Sequence, residues 1–335
     1  MTIGRQPSEV WKRWLLIGFV LGLAVFLALL FVADVRLVGQ QLALIPGWVY
    51  LLVALLSFAD YGFRFLRWQV FLRSVSIDLD RKSSFLCYFS GLALAVTPGN
   101  LGEAIKSFLL ERKDGLPISR TVPVILAERI SEGLGFLLLA SIGAATFQYG
   151  WSAIVFILLL FLGGIIVLRS PRTYQALTRF LRKRQRFARF ANSCDSFYRT
   201  AHTVLGNRVL FSALLLSCLS SLSQSLGYYL LLSTFSPGSG FLLALFLLNF
   251  TSIAGGASMS PGGLGVVEGS LMALMVANGI PVDQAAACTV ISRVFNLWLG
   301  EFGGLVCLRW TLRHWVLARR PAAATETEAE APSPV

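Results

Sequence analysis

Four residues combine charge with a spacing that chemistry could use: Glu103 and Arg129, then Glu268 and Arg293. Each carboxylate follows a Gly/Pro break set in an apolar stretch. The first break is Pro98-Gly99-Asn100-Leu101-Gly102-Glu103, and the second is Pro261-Gly262-Gly263-Leu264-Gly265-Val266-Val267-Glu268. Each is followed by Gly-x-Pro (Gly115 to Pro117, Gly279 to Pro281) and then by an arginine in an apolar run. Pro98 and Pro261 are 163 positions apart; Gly115 and Gly279, like Arg129 and Arg293, are 164 apart. The chain therefore reads as two related halves, each centred on a broken, charged helix. Glycine at Gly99, Gly102, Gly262, Gly263 and Gly265 permits tight or left-handed backbone and close approach. Broken helix ends expose N–H groups that favour an anion, and a guanidinium fork suits a phosphate. The chemistry these residues suggest is the holding of an anionic head group, with Glu128 and Glu132 beside Arg129 as further candidates. A plainer role competes with it. Arg129 could pair with Glu103 or Glu132, and Arg293 with Glu268 or Glu301, simply to hold the halves together, and a switching ion pair would serve both ends. Asp60 and Arg64, four apart on one helical face, suggest an internal pair near the cytoplasmic boundary.

The elements that must position these residues are membrane helices. Of 335 residues, 56% are hydrophobic and 14% charged, too apolar for an ordinary soluble domain. Several apolar stretches have the length, about 20 residues, that spans the hydrocarbon of a bilayer as a helix. The net charge of +12 sits at the ends of apolar segments and in one loop. That distribution suits anionic lipid and topology better than a nucleic-acid partner. Cys87, Cys218, Cys288 and Cys307 lie in or at apolar segments and Cys194 in the basic loop, with no Cys-x-x-Cys. They are expected to be small buried hydrophobes. His202 and His314 flank the membrane, no metal or cofactor site is expected, and the motifs of common soluble enzymes are absent. No catalytic residue is assigned.

In chain order, Trp14 to about Ala33 is an uncharged span whose basic flank places the N-terminus inside; its length argues against a cleaved signal peptide. A short loop with Pro46 leads to a second segment, Trp48 to Trp68, after which Arg67, Arg73, Arg81 and Lys82 mark a cytoplasmic return. Ser84 to Val96 is too short for a comfortable span. Were it to cross, Lys106, Arg112, Lys113 and Arg120 would lie outside, against the charge bias. A re-entrant hairpin turning at Pro98-Gly99 keeps both ends inside. Thr121 to about Phe147 carries Glu128, Arg129 and Glu132. At roughly +3 kcal/mol each near the bilayer centre, these cost about 9 kcal/mol, whereas about a dozen apolar side chains at roughly −0.5 each return about 6. Its charges must pair or face water inside a bundle. Trp151 to Leu168 returns inside, 169–208 is a basic cytoplasmic loop, and Val209 to Leu232 crosses outward. A second hairpin, Phe241 to Ala277, breaks at Pro261-Gly262-Gly263. A last span, about Ala285 to Leu308, is followed by Arg309, Arg313, Arg319 and Arg320, which place the C-terminus inside.

The fold expected is an all-α polytopic membrane protein. About six spanning helices and two re-entrant hairpins form an inverted repeat; the alternative is eight full spans. Residues 1–320 form one integral domain, with a first half at about 45–168, a second at about 209–308, and a disordered tail at 321–335. Broken helices meeting near the midplane in inverted repeats are the architecture of many secondary transporters.

Thr97 to Glu103, Ala127-Glu128-Arg129, Ser260 to Glu268 and Arg293 together resemble the flippase-like integral membrane family named after the transmembrane region of lysylphosphatidylglycerol synthase. The resemblance covers about 45–308. It implies lipid handling: movement between leaflets of an anionic phospholipid or a polyprenyl- or glycolipid-type envelope lipid, in a bacterial inner membrane. Glu103, Arg129, Glu268 and Arg293 would line one midplane cavity, with membrane lipids as partners and a lipid- or glycan-synthesis enzyme as a further one. The alternatives are a membrane-embedded transferase using Glu103 or Glu268 as base, and a non-transporting scaffold for such a synthase. Glu268 lies three residues after Gly265 whereas Glu103 directly follows Gly102, so the two carboxylates need not be equivalent.

Overall fold

A computed structural model describes residues 35–97, 102–144 and 188–317, with isolated positions elsewhere; for 188–195 and 317 it describes backbone only. The expected spans Trp14 to Ala33 and Trp151 to Leu168, most of the basic loop, the break residues Pro98, Gly99 and Asn100, and the C-terminal tail lie outside these residues, apart from single helical positions. Each regular element described is helical. A short helix α1 (Val35–Leu44) precedes α2 (Gly47–Ser74). The first broken unit is α3 (Arg81–Leu92) and α4 (Ile105–Asp114), followed by α5 (Ile118–Ala144). Helix α6 (Ala188–Val204) leads into α7 (Asn207–Phe235). The second broken unit is α8 (Phe241–Ala257), a 3₁₀ turn at Pro261–Gly263, and α9 (Val266–Ala277). The chain ends in α10 (Val282–Arg293), a π-helical stretch (Val294–Trp298), α11 (Leu299–Thr311) and a second π stretch (Leu312–Leu317).

Three of these segments are long and apolar enough to cross a bilayer: Gly47–Ser74, Asn207–Phe235 and the continuous Val282–Val316. At 1.5 Å per residue, the 28 residues of α2 span about 42 Å. The apolar pattern is that of a lipid-facing surface. Trp48, Leu51, Leu55 and Phe58 on α2 and Phe211, Leu215 and Leu222 on α7 are exposed, while Ser57, Asp60, Arg67, Ser217, Ser220 and Gln224 of the same helices are buried. In water that arrangement would waste apolar area; in hydrocarbon it solvates the outside and lets polar groups pair inside. The chain is an integral membrane protein.

Helices α2 and α7 form the centre and run antiparallel. Arg67 bonds Ser217, Asp60 bonds Ser220 and Gln224, and Val53 lies beside Gly227, so partner numbers fall along α7 as they rise along α2. Each opens one half of the chain, so the two halves start from opposite ends of this pair. Two further contacts cross between halves. Helix α3 lies on α11, and α8 lies on α5. Both contacts are made by glycine. A Cβ on Gly304 would sit 2.5 Å from the Ala93 nitrogen, and one on Gly143 would sit 2.7 Å from the Phe246 nitrogen. Small residues let membrane helices approach to backbone contact. Within each half, α4 packs back on α3 and α9 on α8.

Two sequence expectations change here. Part of the stretch expected as a basic loop is helix α6, which packs on α5. The last segment also runs on past Leu308, so Arg309 and Arg313 belong to its final turns rather than to a following loop.

Candidate functional site

The first break is closed by Thr97, whose hydroxyl donates to the Leu94 carbonyl (2.8 Å) and accepts from the Gly102 N–H (2.5 Å). A Cβ on Gly102 would lie 2.5 Å from the Leu94 oxygen, so glycine is required there by contact. One turn of 3₁₀ helix at 102–104 then presents Glu103 to the interior. Its Oε1 accepts from Arg129 Nη2 (2.7 Å) and its Oε2 from Lys106 Nζ (3.0 Å). Lys106 also donates to Glu128 Oε2 (2.8 Å) and lies over the rings of Trp68 and Tyr88 at 5.0 and 5.1 Å. Gly91 makes room for its stem, since a Cβ there would meet the Lys106 Cγ at 2.8 Å.

From Arg129 the network continues toward α2. Arg129 Nη1 meets Glu132 Oε2 at 2.7 Å, Glu132 Oε1 meets Arg64 Nη1 at 2.9 Å, and Arg64 Nε meets Asp60 Oδ1 at 2.9 Å. Asp60 also accepts from Ser220 and, at 2.7 Å, from Gln224, both on α7. Arg67 donates to Ser217 (2.8 Å) and stands 3.7 Å from Glu132. The result is an unbroken chain of charge in which Asp60, Glu103, Glu128 and Glu132 face Arg64, Arg67, Lys106 and Arg129. Formal charges cancel. That balance resolves the insertion cost of α5: each of its three charges faces an opposite charge on a neighbour, as buried charges require. Arg129 is the most exposed member, with 29% of its side chain accessible against 1–15% for the others.

At the second break Gly262, Gly263 and Gly265 all have positive φ (60°, 69° and 83°). Glu268 folds back to accept from the Gly265 N–H (2.8 Å), capping α9, and its other oxygen accepts from Arg293 Nε (2.6 Å). Arg293 Nη2 donates to the Gly262 carbonyl (2.8 Å). The arginine of α10 therefore ties both the turn and the start of the next helix. Here the glycines serve left-handed backbone, whereas Gly102 serves close approach; the two breaks solve the same problem differently.

The two breaks meet. A Cβ on Gly262 would lie 3.2 Å from the Val96 side chain, and the Val96 N–H donates to Glu301 Oε1 of α11 (3.1 Å). Glu103 and Glu268 each bond their own arginine, in two sets that share no member among the described residues. A tight crevice lies between α2, α7 and the α10 region, lined by uncharged groups including Ser57, Gln224, Tyr228, Ser292 and Asn296.

Other expectations shift at single residues. Lys106 and Arg67, read as topology charges, are each 1% exposed and belong to the buried network. Glu128 faces Lys106, whereas Arg129 takes both of the carboxylates expected for it, Glu103 and Glu132. Arg293 pairs with Glu268, and Glu301 bonds a backbone N–H in place of an arginine. Lys106 was missed as a site residue because a lysine three residues after Glu103 also fits an exposed surface pair; only the packing of α3 over α4 buries it.

The family model for the lysylphosphatidylglycerol synthase transmembrane region matches residues 19–303. A "UPF0104 membrane protein" of Methanothermobacter thermautotrophicus is 24% identical over 286 residues, covering 78% of this chain and 85% of the relative. Another, from Pyrococcus horikoshii, is 24% identical over 335 residues, covering 89% of this chain and 97% of the relative. Both relatives are archaeal, so they lend nothing to the bacterial membrane expected above. With a match that spans both breaks and both arginines, this chain belongs to the lysylphosphatidylglycerol synthase transmembrane-region family of integral membrane proteins.

Proposed function

We propose that this protein moves an anionic lipid between leaflets, with the two broken units acting as opposed re-entrant hairpins. The observation that carries the reading is the repeat-related pair of ion pairs, Glu103–Arg129 at 2.7 Å and Glu268–Arg293 at 2.6 Å, one at each break. Opening either pair would free a guanidinium for a phosphate-bearing head group, while the acyl chains stay in lipid. The antiparallel α2/α7 pair supports an inverted repeat, since each half then enters its hairpin from the opposite side. Basic Arg73, Arg81, Lys82, Arg112 and Arg120 around the first hairpin's mouth support placing that mouth, and both termini, on the cytoplasmic side. The protein is not an enzyme in this reading: Glu103 and Glu268, the two candidate bases, are each engaged by an arginine.

The test is reconstitution in vesicles carrying a labelled anionic phospholipid. Arg129→Ala and Arg293→Ala, inserted at wild-type levels, are expected to slow translocation at least tenfold. Unchanged translocation in both would overturn the reading. One observation favours a second function, a non-transporting scaffold for a lipid or glycan synthase: the network at the first break is closed and charge-balanced. That reading predicts a partner that co-purifies with Arg129→Ala as well as with the wild type.

A further inference from the structure

Six carboxylates are buried in the described part of the membrane domain, and five of them face a cation. Asp60 has Arg64; Glu103 has Arg129 and Lys106; Glu128 has Lys106; Glu132 has Arg64 and Arg129; Glu268 has Arg293. Glu301 is the exception. It is 8% exposed, its Oε1 accepts from the Val96 N–H, and among the described residues no Lys or Arg nitrogen lies within 4.0 Å. It lies within a segment long and apolar enough to cross the bilayer, Val282–Val316.

Among the described residues, the charged and titratable groups facing Glu301 are few. From α2 comes Tyr61, whose hydroxyl is held by the Phe295 and Asn296 carbonyls and lies against Gly300. Arg293, on the preceding turns of the same segment, is bonded to Glu268 and Gly262. The groups of α3 and its end that meet this side of α11, Phe89, Ala93 and Val96, carry no charge. A carboxylate so placed has to bear its charge with one backbone N–H, and the neutral acid is relieved of that desolvation. Protonation would also weaken the acceptor that holds Val96, since a hydrogen bond to an ionised oxygen is the stronger one. Val96 is the residue against which Gly262 of the other break packs.

We propose that Glu301 is a proton-binding site through which proton uptake releases Val96, which follows α3, from α11, coupling lipid movement to a proton gradient. A proton taken from water on one side of the membrane binds the carboxylate, the Val96 contact loosens, and the proton leaves to the other side as the contact reforms. The proposal rests on the transport reading above, so its test has one arm that needs no transport. The reporter is the Val96 amide, which donates to Glu301 Oε1.

In detergent-solubilised full-length protein, hydrogen exchange of peptides covering Val96 is followed between pH 5 and pH 9. The expected result is faster exchange than the intrinsic pH dependence allows as the pH falls, and a flat, already raised level in Glu301→Gln. Peptides covering Gly265 serve as the internal reference and are expected to be unaffected. No difference between wild type and Glu301→Gln in the corrected profile would overturn the proposal whether or not the protein moves lipid. In vesicles, wild-type translocation is expected to change several-fold when a pH gradient is imposed, and Glu301→Gln to be insensitive to it. A wild type that translocates lipid with no response to the gradient would equally overturn the proposal while leaving the transport reading intact.

Discussion

At the scale of single residues, burial decides what a charge is for. Lys106 touches two carboxylates and two rings at 1% exposure. Removing one partner from such a set leaves an uncompensated buried charge, which costs about 3–5 kcal/mol. Lys106→Ala is therefore expected to lower the unfolding temperature in detergent sharply, and adding Glu128→Gln to recover part of the loss. A double variant no better than the single would show that the charge balance is not what holds the site. Gly102→Ala should fail for a different reason, because its new methyl would overlap the Leu94 carbonyl at 2.5 Å. Asp80 caps α3 outside the membrane. Hydrogen bonds from Ser83, and then from Lys113, hold its carboxyl well below the usual carboxylate range. A depressed value in the folded state means that the stabilisation is present above the unfolded value, about 3.9, and is lost as pH falls through the folded one. Asp80→Ala should cost about 1 kcal/mol at neutral pH, and the gap from wild type should close only in strong acid. Thermal melts of both proteins from pH 7 downward check this.

At the scale of elements, glycine sets how near helices come. Gly304 and Gly303 are neighbours on α11, yet a Cβ on Gly304 would strike the α3 backbone and one on Gly303 would meet nothing within 4 Å. Gly304→Ala is expected to destabilise the α3/α11 contact. Gly303→Ala should be neutral or stabilising by up to about 1 kcal/mol, the helix-propensity difference. Equal effects from the two, measured as unfolding temperatures, would contradict the packing described. The same logic links Gly143 to α8. The π stretch at Val294–Trp298 belongs to this scale as well. It directs the Phe295 and Asn296 carbonyls to the Tyr61 hydroxyl, tying the last segment to α2 beside the Glu268–Arg293 pair. Such bulges inside α-helices are frequent at functional sites.

At the scale of the whole molecule, the two halves exchange partners around the antiparallel α2/α7 pair: α5 of the first half packs on α8 of the second broken unit, and α11 of the second half packs on α3 of the first. An inverted repeat predicts that cysteines at Asp114 and Asn278 label from opposite sides of a sealed vesicle. These positions are exposed and avoid the positive φ of Gly115 and Gly279, where a side chain would be strained. Labelling of both from one side, in a background without the native cysteines, would refute the inversion. Helical membrane architecture, the two breaks and the arginines that follow them were legible in the sequence, because hydrocarbon length and repeated spacing act locally along the chain. So was the need for Glu128, Arg129 and Glu132 to find partners. Which partners they take was not legible. Only the folded chain brings Arg64 and Arg67 of α2 and Lys106 of α4 to them, and only folding sets Glu301 on the Val96 N–H with no cation within 4.0 Å among the described residues. Charge type and spacing are properties of the chain, whereas the pairing of buried charges depends on which helices pack together and on where glycine lets them touch.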